Sequence, residues 1–149
     1  MLTNQLDSKD MRILHELELM CRDVPPVRTA RLAAAVAIRG EVMAWGTNEM
    51  RSHPFQARWG KNSDSVYWHA ETKAIHNFIR RYSPDLLQRA TVYVCRIKRP
   101  NERSKNFVLG MARPCKGCFS CIRDFGIGRV AYSTDSGGWQ CEIAEEPTQ

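Results

Sequence analysis

Hydrophobic residues recur with two periods along this chain, and the switches between them mark its elements. From Ser8 to about Arg22, Met11, Leu14, Leu17 and Cys21 fall at helical spacing, predicting an amphipathic helix capped by Asp7 or Ser8. Asp23 to Pro26 ends it, because Pro25 and Pro26 cannot continue a helix. Two apolar runs follow, Leu32–Ile38 and Glu41–Gly46, with Arg39-Gly40 as the turn of a β-hairpin. Thr47 to Tyr67 is polar, carries Pro54 and Gly60, and reads as a loop. About twenty residues of loop is unusual in a compact domain and often functional.

The helical period returns over Trp68–Tyr82, where Ala70, Ala74, Ile75, Phe78 and Ile79 share a face and Ser83-Pro84 stops the run. Thr91–Ile97 is β-branched and apolar, a strand, and Phe107–Met111 reads as a short return strand. Pro114–Phe125 predicts a helix with proline at its start and Gly126 at its close. Arg129–Ser133 and Gly138–Ile143 predict two more strands, separated only by Thr134–Gly137. Parallel strands need a crossover of a dozen or more residues, so this pair is antiparallel. Helices alternating with strands predict an α/β layered domain.

Composition narrows the class. The chain has 149 residues, which fits one domain spanning 1–149. Its apolar run Leu32–Ile38 is far short of the ~20 residues of a membrane span, and Met1–Asp7 does not resemble a secretory signal. The formal charge is +6, which favours anionic partners such as nucleotides or nucleic acid, although the basic residues are scattered. Six cysteines, three of them within Cys115–Cys121, fit metal ligation in a reducing, cytoplasmic setting better than a disulfide framework.

Two short motifs carry chemistry: His69-Ala70-Glu71 and Pro114-Cys115-Lys116-Gly117-Cys118. Composition alone produces an H-x-E roughly a quarter of the time and a P-C-x-x-C about once in a hundred such chains; together, each opening a predicted helix, they are specific. Cysteines three apart in a first helical turn lie on one face and can share a metal, and the helix N-terminus favours their thiolates. Two thiolates and a neutral imidazole cancel the charge of Zn2+ and leave one tetrahedral position open. Glu71 is too close in angle to His69 to be a fourth ligand, but is placed to move protons. A structural zinc or a plain buried thiol pair is the alternative. The former would need a fourth ligand, for which Cys121 is the nearby candidate; Cys121 is otherwise expected in the core.

These motifs resemble the zinc-dependent cytidine deaminase superfamily, whose signature they match. The resemblance covers most of the chain, because the order of helix, hairpin, H-A-E helix, strand and P-C-x-x-C helix is the family's. His53-Pro-Phe-Gln-Ala-Arg-Trp-Gly-Lys is similar to phage-type deoxycytidylate deaminase-like proteins. The resemblance implies a three-layer α/β/α fold with a five-stranded mixed sheet, an antiparallel C-terminal strand pair and a hairpin inserted before the P-C-x-x-C helix. It implies zinc on His69, Cys115 and Cys118, with Glu71 as proton carrier in hydrolytic deamination of a cytosine ring. It further implies substrate contacts at Asn48, within Gly46-Thr47-Asn48, and at Ala70, and a homo-oligomer.

The chain also departs from the family. The spacing from His69 to Cys115 is long, and the excess lies in Arg96–Met111, read as a strand that overshoots the sheet, turns at Pro100-Asn101 and returns. The antiparallel final pair resembles the free-nucleoside branch and several toxin deaminases, whereas the loop motif resembles deoxycytidylate deaminases. The expected substrate is therefore a free cytosine nucleoside or nucleotide, dCMP or (deoxy)cytidine. The alternatives are a deaminase of single-stranded DNA or RNA, which the charge would suit, and a non-enzymatic zinc module. Trp68 and Tyr67 are candidates for stacking on a base, and Arg51, His53, Arg58 and Lys61 for holding a 5′-phosphate, against packing and solvation as the ordinary roles.

Overall fold

A computed structural model describes residues 3–23, 30–49, 51, 53–59, 68–101 and 103–144. Helix α1 (Ser8–Arg22) opens with a reciprocal cap: the Asp7 side chain accepts from the Asp10 amide and Asp10 from the Asp7 amide, both at 2.8 Å. Its buried face is Ile13, Leu14, Leu17 and Cys21, joined by Asp10, while Met11 is only half-buried. The stripe is rotated from the expected one because Asp10 is drawn inward. The Arg129 guanidinium grips both its carboxylate oxygens at 2.7 Å and the Tyr93 hydroxyl donates to it at 2.5 Å.

The hairpin β1 (Ala30–Ile38) and β2 (Glu41–Thr47) turns at Arg39 and Gly40, whose φ of 55° and 80° are the left-handed pair that a two-residue turn requires. The chain then forms a four-residue helix α2 (Pro54–Ala57), helix α3 (Ala70–Ile79), a 3-10 turn over Pro84–Arg89, and strand β3 (Ala90–Lys98). Strand β4 (Val108–Gly110), helix α4 (Lys116–Asp124) and strands β5 (Arg129–Ser133) and β6 (Trp139–Ile143) complete the order.

The sheet runs β2-β1-β3-β5-β6, with β4 also paired to β3. Only β3 and β5 are parallel; β1/β2, β1/β3, β3/β4 and β5/β6 are antiparallel. The expected count of five strands is corrected to six by β4, and the reason lies in strand length. β5 pairs with Thr91–Val94, and β4 takes the edge that remains free at Arg96–Lys98. Ser133 joins the two: its hydroxyl accepts from the Arg96 amide at 3.0 Å and donates to the Gly110 carbonyl at 2.7 Å. The Arg96–Met111 excess is thus a continuation of the sheet.

Period-two alternation splits the core. Ala33, Ala35, Ala37, Tyr93, Cys95 and Ile97 face α1, while Ala34, Val36, Val92, Val94, Val130 and Tyr132 face α3 and α4. Burial on both faces explains the unbroken apolar run of β1 and makes three layers, α/β/α. Among the described helices none is long and apolar enough to cross a membrane.

Candidate metal centre

His69 and Cys115 occupy the same kind of position, the N-cap residue of α3 and of α4, and neither side chain caps its helix. Their side chains instead meet. The ligand atoms of His69, Cys115 and Cys118 all lie within 4.8 Å of one another. His69 Nδ1 is 3.2 Å from Cys118 Sγ and 3.8 Å from Cys115 Sγ. A tetrahedral zinc sets such N···S and S···S separations at about 3.6–3.8 Å, so the donor set fits the ion with little movement. Cys118 is fully buried, and His69 and Cys115 are half-buried, which leaves the centre approachable from one side. Among the described residues this is the one such group.

The local electrostatics suit thiolate ligands. Hydrogen bonding from the Cys118 thiol, aided by His69, pulls the Cys115 thiol down to about 4 against the opposing effect of burial. The Cys118 thiol is raised by that same bond and by its burial. A metal that binds both as thiolates displaces whatever proton they share. Glu71, in the first turn of α3, is 4% exposed; burial pushes its carboxyl up, partly opposed by His69. Its Oε1 is buried and has no partner. A buried carboxylate oxygen left unpaired beside this group calls for a partner that the described residues do not supply.

The other expected residues divide. Asn48 Oδ1 accepts from the Leu32 amide at 3.0 Å, extending the β1/β2 pairing by one rung. Ala70 is wholly buried in the core, backbone included. Trp68 is 5% exposed, with the His53 ring stacked on it at 3.8 Å, so it packs against its own chain rather than offering a face for a base. His53 Nδ1 accepts from the Phe55 amide as the cap of α2, Arg51 pairs with Glu49, and Arg58 lies over Trp59. Tyr67 and Lys61 lie outside the described residues. Cys121 sits in the core, as expected, and is not one of the three residues of the group. Sequence reasoning missed Gln56, which lies in a segment read as loop and is fully buried against the start of α3.

This is the geometry of one known family. Residues 5–134 match the model of the cytidine and deoxycytidylate deaminase zinc-binding region. The chain belongs to that family. Cytidine deaminase from Burkholderia pseudomallei is similar at a TM-score of 0.58 and 16% identity, over 90% of this chain and 91% of that one. The dCMP deaminase from cyanophage S-TIM5 is similar in its apo form at 0.55 and 18%, over 85% and 84%. Its complex with dCMP and dUMP is similar at 0.55 and 17%, over 86% and 83%. No curated protein sequence matches the chain. The His/Cys/Cys group fits the zinc that the family's region binds.

Proposed function

We propose that this chain is a zinc-dependent hydrolytic deaminase of a free cytosine nucleoside or nucleotide: dCMP, cytidine or deoxycytidine. The observation that carries the reading is the convergence of His69 Nδ1, Cys115 Sγ and Cys118 Sγ beside a buried Glu71 carboxylate with an unpaired oxygen. The names of the two similar proteins, a cytidine deaminase and a dCMP deaminase, support the substrate class.

His69, Cys115 and Cys118 would hold the zinc, their two negative charges balancing it. When bound, zinc supplies Lewis acidity that makes water a nucleophile near neutral pH. Glu71 would take one proton from the attacking water and give it to ring N3, then take the second from the hydroxyl now on C4 and give it to the departing amine. The carbon–nitrogen bond breaks, oxygen takes its place, and cytosine plus water becomes uracil plus ammonia. Burial pushes the Glu71 carboxyl up from its ordinary value, the direction that suits a proton carrier. Asn48, at the end of β2, is assigned to the sugar, and Ala70 to the base. A homo-oligomer belongs to the same reading and is checked by light scattering.

The test is ammonia release by zinc-loaded protein on cytidine, deoxycytidine, CMP, dCMP and a cytosine-bearing single strand. Release from one of the four free compounds supports the proposal, and the phosphate requirement selects between nucleoside and nucleotide. Release only from the strand, or none, refutes it.

A further inference from the structure

The cap of α3 has an unusual construction. In the usual reciprocal cap, a Glu or Gln at the third helical position reaches back to the N-cap amide. Here that position is Thr72, whose side chain is too short, and the N-cap residue His69 has its imidazole committed to the thiols. The missing acceptor comes from another helix. Gln56 Oε1, in α2, accepts from the His69 amide at 3.1 Å and shares the single proton of the Thr72 hydroxyl with the His69 carbonyl, which lies 3.1 Å from that hydroxyl. The His69 amide is thereby held by one buried amide oxygen, while its carbonyl accepts from the Lys73 amide at 3.1 Å in the helix ladder. Gln56 is 0% exposed, and its Nε2 has no partner although it is buried. A fully buried glutamine that leaves its amide nitrogen unsatisfied costs stability, since an unmade buried hydrogen bond is expensive. Its oxygen repays this cost by fixing the backbone of a single residue.

We infer that Gln56 is a positioning residue that holds His69 at the distance from Cys115 and Cys118 at which the three accept one zinc ion, acting through Oε1 alone. This rests on the zinc reading above. The polar link lies one layer outside the ligands, where such partners change metal affinity by about 10–100-fold. The arrangement also couples the segment before α3 to the metal centre, because α2 is itself capped by His53.

The test is chelator competition for zinc on the full chain, with the Co2+ absorption spectrum as a second readout. Wild type is compared with Gln56→Met, which keeps the shape without an acceptor, and Gln56→Glu, which keeps the acceptor and discards only the unpartnered nitrogen. The expected result is a loss of at least tenfold in zinc affinity, with a distorted Co2+ spectrum, for Gln56→Met. Gln56→Glu, whose buried carboxyl would be taken up protonated, should stay within about threefold of wild type. Equal affinity and equal spectra for Gln56→Met and wild type overturn the inference, even if the melting temperature falls. So does an equal loss in both variants. Should Gln56→Met fail to fold, Thr72→Val removes one of the two bonds and is expected to lose a few-fold in affinity; no loss there overturns it. A wild type that binds no zinc, or binds it equally after Cys118→Ala, refutes the zinc reading itself.

Discussion

Gly46 offers the sharpest link between packing and chemistry. It lies on β2 opposite Ala34, on the sheet face that α3 covers. A Cβ placed there would stand 2.5 Å from the Ala74 amide nitrogen and 2.6 Å from the Ala70 carbonyl oxygen. Both are helix backbone, so no side chain can swing aside. To reach an ordinary contact of about 3.4 Å, α3 and β2 must part by nearly 1 Å. Overpacking of this kind costs ~1–3 kcal/mol. At ~2–4 °C per kcal/mol for a chain near this size, Gly46→Ala is expected to lower the melting temperature by roughly 2–12 °C. The displaced helix carries Glu71 in its first turn and His69 at its cap. A misplacement near 1 Å costs about 100-fold in a positioned reaction, so turnover should fall by about ten- to a hundredfold, beyond what instability explains. Differential scanning calorimetry of the zinc-free protein and initial rates at a temperature where both proteins are folded provide the two numbers. A Gly46→Ala protein melting within 1 °C of wild type with an unchanged rate would falsify the account of how α3 is seated.

Other expectations follow from the same contacts. Glu71→Gln should abolish turnover while keeping one zinc per chain; residual turnover above a few per cent removes Glu71 from the proton path. Cys118→Ala should lose zinc together with the stability that zinc contributes, measured by metal content and by melting with and without chelator. The third concerns acid. Burial raises the Asp10 carboxyl, but its bonds to Arg129 and Tyr93 outweigh that and hold it at about 2. Its folded value lies below its unfolded one, so its contribution of about 2 kcal/mol is full above pH ~4 and lost as pH falls towards 2. In zinc-free protein, Asp10→Asn should therefore be destabilised at pH 7, by ~3–5 kcal/mol since Arg129 is left unpaired, and the gap to wild type should narrow at pH 3. A gap that does not change between the two pH values contradicts this.

The sequence carried much of this architecture, for identifiable reasons. Each strand buried on both faces, such as β1 and β3, is an unbroken apolar run, and the start of α4 is marked by Pro114. The group His69, Cys115 and Cys118 was legible because its members lie in short local motifs, His69-Ala70-Glu71 and Pro114-Cys115-x-x-Cys118. What escaped depends on tertiary contacts. Asp10 is buried only because Arg129, more than a hundred residues later, reaches it. β4 became a sheet strand because β3 outruns β5, a matter of relative strand length. Gln56 sits in four residues of helix too short to show a period, and its partner His69 lies thirteen residues on. Trp68 looked free to stack, but the His53 ring already lies on it.

The central claim is that three protein atoms hold zinc and leave a place for water. X-ray absorption at the zinc edge of the purified, zinc-loaded chain tests it most directly. The account predicts two sulfurs at ~2.3 Å, one imidazole nitrogen at ~2.0–2.1 Å and one further light atom, with Glu71→Gln leaving the sulfur count unchanged. A third sulfur, which would bring Cys121 into the shell and close it, or no bound zinc, would contradict it.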